Sequence, residues 1–180
     1  MRLTEHRLLH PNRLFRCGSI FLLCFSLLIV NVAAYTFSTI NPPYDDPLSV
    51  SVYISPSMPH IDDVEDAYDN WDYLTPVETY RSYNVNYTEA YFVYSDISTG
   101  AYAGTSPIGS SDWKQVVCRP SWVNSLDSDD RQEVIAHEMG HCWGLGHGTN
   151  TSLMRERGFN GSANPTTDDV AGISARYGGA

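Results

Sequence analysis

Residues 137–148 read HEMGHCWGLGHG, with three histidines, a glutamate, a cysteine and four glycines in twelve positions. His137 and His141 are four residues apart. On an α-helix they lie one turn apart on one face, so both rings can reach a single ion. Glu138 points to the side of that pair, close enough to take a proton from a water at the ion without being a ligand. His147 lies too far up the axis to join from a continuing helix. Gly144 permits a left-handed turn that swings His147 back, and Gly146 adds freedom. Three neutral imidazoles leave a fourth position open for water, which is the catalytic kind of zinc site. Bound zinc lowers the pKa of that water to about 7 and polarises a carbonyl. The chemistry expected is peptide-bond hydrolysis on one zinc ion, with Glu138 as general base and then as the acid that serves the leaving amine.

The elements needed to hold these residues are legible around them. LSVSVYI (48–54) alternates apolar and polar and predicts a strand. Ile61, Val64, Tyr68 and Trp71 form an apolar helical stripe, with Asp62, Asp63, Glu65, Asp66 and Asp69 expected to face water. PVETYRSY (76–83), EAYFVY (89–94), GAYAGTS (100–106) and KQVVCRP (114–120) predict four more strands. The metal-binding helix is expected from Ser128 through Trp143, stopped at Gly144. A last helix begins in TTDDVAGISARYG, capped by Thr166 or Thr167. The fold class is α/β (α+β), a layer of helices on one sheet.

The first 34 residues do not belong to that domain. Four arginines and a single acid precede the apolar run IFLLCFSLLIV, and NVAA follows it. Val32 and Ala34 fit a signal-peptidase site, so 1–34 is read as a cleaved secretory signal. A signal anchor is the alternative, but the run is shorter than the ~20 residues that span a bilayer. The expected organisation is a signal peptide at 1–34, an irregular N-terminal segment at 35–47 and a catalytic domain at 48–180. The chain carries 11 basic and 21 acidic residues. The leader holds four of the former and one of the latter, so the mature protein has a charge of about −13. Such a surface repels nucleic acid and anionic membrane, so neither is expected as a partner. A protein or peptide substrate and a monomeric state are expected. Asn86, Asn150 and Asn160 each head an Asn-X-Ser/Thr sequon and are candidate glycosylation sites on a secreted protein.

Cys17 and Cys24 leave with the signal, and Cys118 and Cys142 remain as an even pair in an oxidising compartment. On a helical wheel Cys142 lies about 120° from the direction midway between the two helical ligands, so it points away from the metal. A Cys118–Cys142 disulfide is expected, closing a loop of about 25 residues with up to ~3.5 kcal/mol of stabilisation.

The extended pattern HExxHxxGxxH, followed by SLM at 152–154, resembles the metzincin clan of zinc metalloproteases. Within the clan the chain is similar to the matrixins, the matrix metalloprotease catalytic domains, in NPTTDDVAGISARYG (164–178) and DNWDYLTPVETY (69–80). The resemblance implies a mixed, twisted five-stranded sheet with three helices, and a methionine turn that places Met154 beneath the zinc. It implies a substrate strand running antiparallel along an exposed edge, here Gly100, Ala101, Tyr102, Ala103 and Gly104, with Arg155–Asn164 shaping the pocket for the residue after the cut. Asp168 and Asp169 match a pair that braces the N-terminus and the methionine turn; ordinary acids at a helix start are the other reading. The sequence departs from the family in having no histidine between 84 and 110, so its second, structural zinc is not expected. Calcium loops are not recognisable, so calcium is possible but not indicated. The alternative to a secreted endopeptidase is a catalytically silent zinc-containing module that binds a peptide or partner in the same cleft; the intact Glu138 argues against it.

Overall fold

The computed structural model describes residues 35–39, 43–95, 101–108 and 113–178; the signal segment 1–34 lies outside them. The five strands are β1 (Val50–Ile54), β2 (Thr79–Ser82), β3 (Ala90–Tyr94), β4 (Ala103–Pro107) and β5 (Lys114–Cys118). The helices are α1 (Ile61–Leu74), the single turn α2 (Pro120–Val123), α3 (Ser128–Cys142) and α4 (Thr167–Tyr177). Strand order is β2-β1-β3-β5-β4. The first four are mutually parallel, and β4 runs antiparallel on the edge beside β5. This is the expected mixed five-stranded sheet with three long helices.

The core lies between one sheet face and two helices. Val50, Val52 and Ile54 of β1, Phe92 of β3 and Val116 of β5 meet Val64, Ala67 and Trp71 of α1 and Ile135 and Met139 of α3, all fully buried. A parallel sheet needs such a cover, because its strands are joined by crossovers that put helices on its faces. Trp71 also ties α1 to α3 through a bond from its Nε1 to the Ala136 carbonyl, 2.9 Å. Asp63 does not face water as the stripe predicts. It is buried and accepts from Arg131 Nε at 2.5 Å and Ser128 Oγ at 3.0 Å, which fastens the start of α1 to the start of α3. The N-terminal segment is tied to the end of α3 at one point. Phe37 forms an antiparallel bridge with Leu145, and Ser38 N–H donates to Gly144 O at 2.9 Å.

The expected Cys118–Cys142 disulfide is not formed; both are buried free thiols. The reason is register. Glu138, one turn before Cys142, meets Thr105, which pairs with Val116. Trp143, the residue after Cys142, packs edge-on against the Tyr44 ring, which covers Lys114 Nζ at 4.2 Å. Cys142 therefore lies toward the Lys114 end of β5, away from Cys118 at its other end. An S–S bond needs about 2 Å. Burial pushes both thiols up, Cys118 to about 12, so neither is a ready thiolate.

The carboxylate of Asp72 joins the end of α1 to β2, accepting from Thr79 N at 2.8 Å and Thr79 Oγ1 at 2.9 Å. Burial outweighs those bonds and raises its pKa from 3.8 to about 6. The fold thus prefers the protonated form. The stability this group contributes is fully present below about pH 4 and is lost as pH rises through about 6. Asp72→Asn keeps an acceptor for Thr79 and removes the charge. In urea titrations D72N is expected to unfold at higher urea than the wild type above pH 6, with the gap closing toward pH 4. A gap independent of pH would contradict this account.

Candidate metal centre

α3 begins at Asp127, whose side chain accepts from Asp130 N at 3.0 Å, and ends at Trp143. Gly144 follows at φ 81, the left-handed turn the sequence calls for. That turn brings His147 back to His137 and His141, with ring centroids 4.8, 5.0 and 5.5 Å apart. One ligand nitrogen from each of the three lies within 4.8 Å of the others.

The tautomers are set by backbone carbonyls. His137 Nδ1 lies 2.9 Å from Leu153 O, and His141 Nδ1 lies 2.8 Å from Leu145 O. A carbonyl can only accept, so each Nδ1 carries the proton and each Nε2 keeps its lone pair. Burial is the first cause that lowers the pKa of His141 and of His147, which favours the neutral, ligating form. Three neutral imidazoles without a fourth protein ligand are the donor set of a catalytic zinc site, so these residues fit that ion.

Met154 is fully buried under the helix. A Cβ at position 140 would stand 2.1 Å from Met154 Sδ and 2.9 Å from the Trp71 ring, so only glycine lets the methionine turn come this close to the ligand helix. Asp169 holds that turn, accepting from the N–H groups of Leu153 at 2.9 Å and Met154 at 3.3 Å. It also accepts from Thr166 Oγ1 at 2.7 Å as part of the capping box of α4. Of the acidic pair, Asp169 thus carries the bracing of the methionine turn.

Glu138 is buried, and Thr105 Oγ1 of β4 donates to its Oε2 at 2.5 Å. Beside it opens a cleft of about 530 Å³, with Tyr102 and Ala103 on one wall, His137 and Val134 along α3, and Phe159 on the far loop. The Tyr102 and Phe159 rings face each other with centroids 5.8 Å apart. Of the expected substrate-binding residues, Ala101 and Tyr102 precede β4, Ala103 and Gly104 lie on it, and Gly100 falls outside the described residues. Among the described residues β4 is the edge strand of the sheet and pairs only with β5.

Two functional features were missed in the sequence. Glu133 and Arg155 form a fully buried ion pair beneath the cleft. Glu133 also accepts from the N–H groups of Asn160 at 2.7 Å, Gly161 at 2.8 Å and Ser162 at 3.1 Å, so one carboxylate shapes the whole pocket loop. The available signal was position: residue 133 lies one turn before His137, on the face that turns inward. Thr105 is the second feature. Asn86, Asn150 and Asn160 are all exposed.

No family model matches the chain. Its fold is similar to that of myroilysin, with a TM-score of 0.54 and 10% identity over 80% of this chain and 98% of that one. It is also similar to archaemetzincin from Methanopyrus kandleri, with a TM-score of 0.50 and 13% identity over 74% of this chain and 97% of that one. The architecture is therefore of the metzincin type.

Proposed function

We propose that the chain is a secreted, matrixin-like zinc endopeptidase that acts as a monomer on proteins or peptides after loss of residues 1–34. The observation that carries this reading is the convergence of one ligand nitrogen from each of three histidines beside the buried carboxylate of Glu138, next to the edge strand β4. A single zinc held by His137, His141 and His147 supplies Lewis acidity to an attacking water and to the scissile carbonyl.

The chain supplies the rest. Glu138 takes the proton of the attacking water and passes it to the departing amine. The edge of β4, from Ala101 to Gly104, aligns the substrate backbone by strand addition, and the cleft between Tyr102 and Phe159 receives the side chain after the cut. Leu153 O and Leu145 O hold the two helical rings in place.

Metal removal is the test. The purified protein is expected to carry one zinc per chain and to hydrolyse peptides. Hydrolysis should vanish on treatment with a chelator and return with one equivalent of zinc. Hydrolysis that survives complete removal of metal would sink the reading. A zinc-loaded protein that binds peptides and cleaves none would establish the silent binding module instead.

A further inference from the structure

The Thr105 hydroxyl of β4 lies against the Glu138 side chain of α3. Its Oγ1 is 2.5 Å from Glu138 Oε2 and 3.1 Å from Glu138 O. A threonine has one proton to donate. The carboxylate oxygen is the closer acceptor, so it takes that proton. The Glu138 carbonyl has its own place in the i to i+4 ladder of the helix. The bond holds one carboxylate oxygen and leaves the other to the cleft, which Glu138 lines.

Strand register makes this arrangement. Ala103 and Thr105 alternate toward the helices, while Gly104 and Ser106 alternate away. β4 is pinned to β5 by the pair Thr105–Val116. The threonine thus comes from the same edge strand that is read as the substrate platform.

We propose that Thr105 is a positioning residue that holds the Glu138 carboxylate in place for proton transfer. The proposal rests on the reading of Glu138 as the general base.

Thr105→Val keeps the shape and the β-branching and removes the hydroxyl. Crystal structures of the purified wild type and of T105V are expected to differ in the Glu138 side chain, which should leave its wild-type rotamer in the variant. In peptide hydrolysis, kcat of T105V should fall by about 10- to 100-fold. KM should stay the same, and so should zinc retention against a chromogenic chelator. Thr105→Ser should restore both rotamer and rate. A merely structural role would lower stability and zinc retention together with kcat, and the serine would bring no rescue.

An unchanged Glu138 rotamer or an unchanged kcat in T105V would overturn the proposal. A wild type that cleaves no peptide would overturn the general-base reading, and the crystal structures would still decide whether Thr105 holds the carboxylate.

Discussion

Glu138→Gln lowers kcat for peptide hydrolysis by about 10²–10⁴-fold, the range for loss of a positioned general base. The substitution keeps the size of the side chain and an acceptor for the Thr105 hydroxyl, so the buried site does not collapse. It removes the capacity to take a proton. Glu138 is not one of the three grouped ligands. Zinc content should therefore stay at one per chain, and substrate KM should change little, because the edge of β4 and the cleft walls are untouched. Steady-state kinetics beside metal analysis separate these effects. A variant with full activity would remove Glu138 from the mechanism. A variant that loses zinc along with activity would make Glu138 a ligand or a strut of the metal site.

Glu133→Ala destabilises the fold by about 3–5 kcal/mol, because it leaves the Arg155 guanidinium buried without its counter-charge. Both side chains are only 4% exposed, so water cannot take over. The same change removes the acceptor of three backbone N–H groups in the pocket loop. The loop should therefore loosen before the rest of the fold, which hydrogen exchange at Asn160, Gly161 and Ser162 would report. Replacing both partners with apolar residues of similar size, Glu133→Leu with Arg155→Met, should recover most of the loss in urea unfolding. Equal loss in the single and double variants would show that the charge pair is not the cause.

The metal centre was legible because its geometry is local. Four-residue spacing on a helix and a glycine at its stop place three rings without any knowledge of the sheet. Thr166 and Asp169 were readable for the same reason, since a capping box spans four residues. What escaped depends on register between distant segments. Thr105 meets Glu138 only because β4 pairs with β5 residue for residue. Glu133 meets Arg155 from 22 positions away, and Asp63 meets Arg131 from 68 away. The bridge from Phe37 to Leu145 crosses most of the domain. The disulfide expectation failed at the same point. An even number of cysteines and a suitable loop length say nothing of where along a strand a helical side chain lands.

The central claim is that this chain hydrolyses peptide bonds at a zinc held by His137, His141 and His147, with Glu138 moving the proton. The most direct test incubates the zinc-loaded protein and its E138Q variant with a peptide library in ¹⁸O-labelled water and reads the products by mass spectrometry. The wild type is predicted to yield new carboxyl ends carrying one labelled oxygen, and E138Q of equal zinc content to yield almost none. Equal cleavage by the two proteins, or intact peptides with a wild type that holds its zinc, would contradict the account.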